Sequence, residues 1–207
     1  MKNKKINNFI KETSSNSPTP GGGSVAALLA SLSMSLAAMS ANLTINKKGY
    51  ESVNDKMKDL ASLFEDKSDK YLIFMNKDVE AFNEVMATYK LNKNTEEEKE
   101  YRSKMIQEKT LNALKVPYDL AIDIYSLLDD IKYCYYNSNK NVQSDALMAI
   151  IIARSAILSC LCNVYINLNS LKDESIKEEI NSACLKMKNK VNELETELIN
   201  HSPYFKM

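Results

Sequence analysis

The most restrictive feature of the chain is a run of 21 residues, Val25 to Ile45, that carries no charge and follows directly on Gly21-Gly-Gly-Ser24. These are three of only four glycines in 207 residues, and Pro18 and Pro20 sit beside them. The uncharged run is long enough to cross a bilayer as a helix. Yet Ser31, Ser33, Ser35, Ser40, Asn42 and Thr44 interrupt it, and alanine fills much of the rest. Such a segment gains little in lipid. It reads better as a helix surrounded by other helices, its small residues allowing close backbone approach, and it suits a subunit seam.

Elsewhere, apolar residues recur three and four apart, which is the helical period. Strand signals are nearly absent: there is no Asn-Gly or Asp-Gly pair, and no glycine follows Gly49. Six helices are predicted, over residues 6–13, 24–45, 52–90, 95–135, 144–171 and 173–199. Thr95-Glu-Glu-Glu98 is a capping-box pattern, and Pro117 predicts a break or kink in the fourth helix. Long helices on short links imply antiparallel neighbours. The expected fold is all-α: an antiparallel bundle of about six helices around a buried small-residue helix, as one domain spanning residues 1–207.

Bulk chemistry narrows the function. Charge is balanced, 27 Lys+Arg against 27 Asp+Glu, which argues against nucleic-acid binding or a polybasic membrane patch. The four cysteines show no staple-like spacing, and the charged MKNKK start is not a signal peptide. Reduced thiols in the cytoplasm are therefore expected, with Cys160 and Cys162 on different sides of a helix. The single histidine, His201, lies near the C-terminus. A His-based triad or His-ligated metal is not expected, so proton chemistry falls to carboxylate, lysine, tyrosine or water.

The glycines admit three readings: a flexible joint, a backbone cradle for an anion at a helix N-terminus, or close approach of a flat ligand. Ser24 is a natural N-cap. Neither dinucleotide nor P-loop spacing is present. At the far end of that helix, Lys47 and Lys48 complement the helix dipole or bind a ligand, and Asn46 or Gly49 can take a left-handed cap.

Asp78 lies on an apolar stripe. Phe74, Met75, Ala81, Phe82 and Val85 share its side of the helix, while Lys77 and Glu80 fall on the flanks. A carboxyl there is either paired with a cation from another helix or held protonated by burial. In the fifth helix Ser144 is a candidate cap and Asp145 suits the first turn. Asp145, Ala149, Ala156 and Asn163 form one line, with Asn167 close to it. That face can take a neighbouring helix or a planar polar ligand.

Taken in order, Pro20-Gly-Gly-Gly-Ser-Val-Ala-Ala27, Leu43-Thr-Ile-Asn-Lys-Lys-Gly-Tyr-Glu51, Asp78-Val-Glu-Ala-Phe82, Val116-Pro117, Ser144-Asp145 and Asn163-Val-Tyr-Ile-Asn-Leu168 resemble the cyclodeaminase/cyclohydrolase family of folate enzymes. Asn46 departs from the glycine that relatives often carry. The resemblance implies a homodimeric, all-helical enzyme that needs no metal or prosthetic group and takes a one-carbon tetrahydrofolate as substrate, with a formiminotransferase as a partner. It implies that Asp78 is the proton donor. Cyclodeamination of formimidoyltetrahydrofolate is the first expectation, methenyltetrahydrofolate cyclohydrolysis the second, and a non-catalytic helical scaffold the reading from another class. Within that frame, Gly21, Gly22, Gly23 and Ser24 are assigned to the pterin or its arm. Ser144, Asp145, Asn163 and Asn167 are assigned to polar recognition of the substrate, and Lys47 and Lys48 to the glutamate carboxylates.

Overall fold

A computed structural model describes residues 3–205. Among them are seven α-helices: α1 (Ile6–Thr13), α2 (Gly22–Asn42), α3 (Asn54–Thr88), α4 (Glu96–Ser126), α5 (Leu128–Asn137), α6 (Gln143–Leu168) and α7 (Glu174–His201). The described residues contain no strand. The all-α bundle is as expected, with the fourth predicted helix in two pieces.

Local chemistry accounts for most of the boundaries. Thr95 accepts the Glu98 N–H, and the Glu98 carboxylate accepts the Thr95 N–H in return, so the capping box opens α4 as predicted. Asp173 accepts the Ile176 N–H and opens α7. The break in the fourth predicted helix falls at Leu127, not at Pro117. There the Ser126 hydroxyl bonds back to the Asp123 carbonyl, Leu127 (φ −98°, ψ −2°) sits between the two helices, and Asp129 and Asp130 start a new first turn. Pro117 is buried inside a continuous α4.

Two predicted caps are corrected. Gly21 is the N-cap of α2, so the helix begins before Ser24 and frees the serine for another role. Val142 is the N-cap of α6, which puts Ser144 inside the helix, with Asp145 in the first turn as expected.

α2 lies between α3 and α6, and α4 closes the square against α3 and α6 on the opposite corner. Side-chain pairs fix the directions. Ser24 meets Asp78, Ser31 meets Ser68 and Asn42 meets Glu65, so α3 runs antiparallel to α2. Ser40 donates to the Val142 carbonyl and Ser33 to the Ala149 carbonyl, while Gly22 abuts Asn163, so α6 is antiparallel to α2 as well. Lys67–Asp123 and Lys109–Glu84 set α4 antiparallel to α3.

The uncharged helix sits where its composition demands. Twelve of its residues are buried, and most of these are alanine or serine. Its small side chains bury little area each, but they let α3 and α6 approach on both flanks, and its buried hydroxyls gain hydrogen bonds worth about 1 kcal/mol each. The larger burial comes from its neighbours. Met57, Phe64, Leu114 and Ile124 are fully covered, each worth about 1.5–3 kcal/mol. α2 and α6 both meet the length and hydropathy of a membrane span. Here they pack side by side in one hydrophobic core.

Candidate active site

The N-terminus of α2, the second half of α3 and the last turns of α6 meet at one end of the bundle. Between them and α4 is a cavity of about 290 Å³. Gly21, Gly22 and Gly23 line one side of it, with Asp78, Phe82 and Val85 from α3, Ala113 and Pro117 from α4, and Asn163 and Asn167 from α6.

The glycines mark close approach. A Cβ on Gly23 would fall 2.0 Å from Asp78 Oδ1 and 2.5 Å from its Cγ, so no side chain fits there. A Cβ on Gly22 would lie 3.3 Å from Asn163 Nδ2. Two of the three glycines thus give their side-chain space to the polar groups that line the cavity.

Asp78 is half-buried on its apolar stripe, with Met75 buried and Lys77 and Glu80 exposed, as the periodicity predicts. It takes no part in the ion pairs among the described residues. Its partner is Ser24, whose hydroxyl donates to Asp78 Oδ2 at 3.0 Å. Burial pushes the Asp78 carboxyl above the ordinary carboxylate value, while the Ser24 hydroxyl and backbone N–H pull it down. Burial wins. The carboxyl therefore keeps its proton to a higher pH than an exposed aspartate, as a general acid must.

Ser24 Oγ also lies 3.2 Å from the Met75 carbonyl. One hydroxyl proton faces two acceptors. When Asp78 is ionised, the hydroxyl donates to it. When Asp78 is protonated, the hydroxyl can turn to Met75 and accept the carboxyl proton instead. The serine fits both protonation states without moving its backbone. Cys160, close enough to feel the Asp78 charge, is pushed up to about 12 chiefly by burial, and it stays a thiol.

The asparagines present acceptors. Asn163 Nδ2 donates to the Ser159 carbonyl at 2.8 Å, and Asn167 Nδ2 donates to the Asn163 carbonyl at 3.1 Å. Each side-chain amide is anchored to its own helix through one N–H, leaving Oδ1 to accept and the second N–H to donate. Pro117 adds another acceptor. It has no N–H to offer the Ala113 carbonyl four residues earlier, and both residues line the cavity. The sequence marks Pro117 as a helix breaker and as part of the ordered motif set; the i−4 relation to Ala113 is the signal for its place in the site. Pro18 and Thr19, on the approach to the glycines, also reach the cavity, and they were not among the predicted site residues.

The predicted site residues divide into two groups. Gly21, Gly22, Gly23, Ser24, Asp78, Asn163 and Asn167 come together. Lys47 and Lys48 do not: they are exposed beyond the other end of α2, roughly 30 Å along the helix. Ser144 and Asp145 lie beside the second half of α2, roughly 25 Å along α6 from Asn163. Within one chain these four stand apart from the cavity.

Comparison with known proteins gives a consistent result. The family profile described as formiminotransferase-cyclodeaminase matches residues 5–186. A methenyltetrahydrofolate cyclohydrolase of Methylorubrum extorquens is 36% identical over 177 residues, covering 86% of this chain and 85% of that protein. The formimidoyltransferase-cyclodeaminase of Gallus gallus is 30% identical over 176 residues, but this chain spans only 32% of its length. The crystal structure of a formiminotetrahydrofolate cyclodeaminase from Thermotoga maritima superposes with a TM-score of 0.72 at 27% identity, covering 96% of this chain and 95% of that one.

Proposed function

The chain belongs to the formiminotransferase-cyclodeaminase family, a family of folate one-carbon enzymes acting on C–N bonds, and from that premise we propose that it closes formimidoyltetrahydrofolate to methenyltetrahydrofolate with release of ammonia. The observation that carries this reading is the Asp78–Ser24 pair at the glycine corner. Among the described residues, Asp78 is the one ionisable side chain lining the cavity. In ring closure the substrate supplies its own nucleophile, so a single proton-holding group suffices.

The pterin lies against Gly21–Gly23, its N–H groups facing Asn163, Asn167 and the Ala113 carbonyl. The side-arm nitrogen attacks the formimino carbon and forms a tetrahedral centre. The proton lost from the side-arm nitrogen and the proton held by Asp78 both end on the departing nitrogen, which leaves as ammonia. The methenyl cation remains, and Asp78 is left ionised with Ser24 donating to it. Solvent reloads the carboxyl. Phe82 and Val85 keep that end of the cavity apolar, which sustains the raised pKa.

A second reading, cyclohydrolysis, is favoured by the relative of similar length named for that activity. There water adds to the methenyl carbon, ionised Asp78 takes one of its protons, and Asp78 delivers that proton to the ring nitrogen as its C–N bond opens. The second water proton is lost to solvent. Both reactions use the folate as substrate and draw on no prosthetic group.

The assembly we assign is a homodimer, supported by the exposed uncharged side of α2. A separate formimidoyltransferase would supply the substrate, as the two-activity names of longer relatives suggest. Four free thiols suit a cytoplasmic setting. The test is a pair of assays: ammonia release from formimidoyltetrahydrofolate, and loss of the near-ultraviolet band of methenyltetrahydrofolate. Ammonia release that depends on Asp78 supports ring closure. Turnover of methenyltetrahydrofolate alone assigns the second reading, and turnover of neither removes both.

A further inference from the structure

The cavity at the glycine corner holds about 290 Å³, the room of a bicyclic ring, so the arm of a folate and its glutamate must lie beyond the rim. No lysine or arginine lines it among the described residues. A second recess, of about 330 Å³, opens over the first turns of α4. Lys93, Lys99, Arg102 and Lys172 line it together with Ser103 and Gln107, and no carboxylate does among the described residues. In a chain whose charges balance, this is a concave patch of one sign. The recess beside Lys47 and Lys48 differs, for Glu51 is part of its lining.

Neutral partners hold two of these cations in place. Arg102 donates to the Tyr89 carbonyl at 3.1 Å, and its guanidinium lies 5.7 Å from the centre of the Tyr89 ring. Its Nε–H is buried with no acceptor. Lys172 Nζ donates to Ser103 Oγ at 3.2 Å. Gln107 fixes the turn that carries Lys172: its Oε1 accepts the Lys172 N–H at 2.8 Å, and its Nε2 donates to the Ser170 carbonyl at 3.0 Å. Of the four cations, Lys99 is the one in an ion pair among the described residues, with Glu96. Arg102 and Lys172 are thus positioned without being neutralised. A carboxylate beside the guanidinium supplies the acceptor that Nε lacks.

The recess continues the line of the cavity. Lys99, Arg102 and Ser103 fall on the side of α4 that also carries Ala113 and Pro117, and Gln107 is roughly 9 Å along the axis from Ala113. On α3, Val85 lines the cavity. Tyr89 stands one turn further on the same side, 49% exposed and in contact with Arg102. On α6, Asn167 lines the cavity, and the turn that carries Lys172 follows directly. Three elements therefore lead from the cavity to the cations.

We infer that this recess binds the glutamate carboxylates of the folate, with Arg102 and Lys172 as the main contacts and Lys93 and Lys99 adding charge. The inference rests on the folate reading above and extends its site. The pterin sits at the glycine corner, the aromatic arm passes Val85 and Tyr89, and the carboxylates reach Arg102 within the same chain. The role that the resemblance gave to Lys47 and Lys48 passes to these four residues.

The test compares tetrahydrofolate with tetrahydropteroate, which has the same pterin and arm but no glutamate, by calorimetric titration. Wild type binds tetrahydrofolate the more tightly of the two, and added salt narrows the gap, because exposed charges are screened. Arg102→Gln/Lys172→Gln binds tetrahydrofolate at least about tenfold more weakly, while its affinity for tetrahydropteroate stays at the wild-type value. That unchanged affinity also reports that the fold and the pterin end survive. Lys93→Gln, at an exposed position, shows the same selective loss in smaller measure. A double variant that keeps the full preference for tetrahydrofolate overturns the inference. So does a double variant that loses both ligands equally while Lys93→Gln keeps the preference. A wild type that binds neither compound removes the folate reading and this inference with it, so the two failures are told apart.

Discussion

Gly23 and Asp78 occupy one space from two helices: the carboxylate of Asp78 lies where the side chain of any other residue at position 23 would stand, 2.0 Å from an ideal Cβ. The contact joins the N-terminus of the uncharged helix to the only ionisable side chain that lines the cavity among the described residues. Gly23→Ala must therefore push Asp78 aside. Such overpacking costs about 1–3 kcal/mol, read as a lower thermal midpoint, and turnover should fall with it. Gly21→Ala is the control. Its Cβ would meet only the Pro18 carbonyl, at 3.2 Å, and its loss of turnover should be smaller. Equal turnover in Gly23→Ala and wild type would show that this contact does not position the acid.

Asp78→Asn should change stability with a definite pH dependence. The folded-state pKa is raised, so the native chain holds more protons than the unfolded chain between the ordinary and the raised value. Stability falls as pH rises through that window, and the full cost is present above it. The variant carries no such cost. Its thermal midpoint should gain on that of wild type as pH rises through the window, with no gain below the ordinary carboxylate range. A wild type that holds its advantage at neutral pH would mean that the Ser24 hydrogen bonds outweigh burial.

How much of this was legible in the sequence follows from the range of each interaction. The apolar stripe around Asp78 is a property of one helix, and Phe74, Met75 and Phe82 revealed it at spacings of three and four. The capping box at Thr95 is equally local. Ser24 was misread because serine before an apolar run is the usual cap, and its true partners lie on another helix, 51 and 54 positions away. Pro117 was read as a break because proline lacks a donor. Tertiary packing kept the helix whole and brought both Ala113 and Pro117 to a cavity, which only the fold defines. Lys47 and Lys48 belong to the ordered motif set yet stand far from the cavity, since order along the chain carries no information on distance in the fold.

Ser24→Ala should move the pH profile rather than abolish activity. Removing the hydroxyl takes away a donor that favours ionised Asp78. The alkaline limb of kcat should shift to higher pH, while the fold survives loss of one small side chain. An unchanged limb would separate Ser24 from the titration of Asp78.

Pro117→Ala should separate binding from stability. Alanine restores an N–H inside α4, so the unfolding free energy should hold or rise. The restored bond also occupies the Ala113 carbonyl. Folate affinity should weaken by about tenfold, the worth of one hydrogen bond near 1.4 kcal/mol. Calorimetric titration with reduced folate reads the first effect and denaturant unfolding the second. Unchanged affinity would remove the Ala113 carbonyl from substrate recognition.

The central claim is that Asp78 delivers the proton that lets nitrogen leave. Its most direct test is single-turnover ammonia release from formimidoyltetrahydrofolate, followed across pH for wild type and Asp78→Asn at saturating substrate. The account predicts a wild-type rate that falls as pH rises through the raised Asp78 pKa. It predicts an Asn variant slower by about 10²–10⁴ that lacks that limb and binds folate with near-normal affinity. An Asp78→Asn enzyme that turns over at close to the wild-type rate, with the same pH profile, would contradict it.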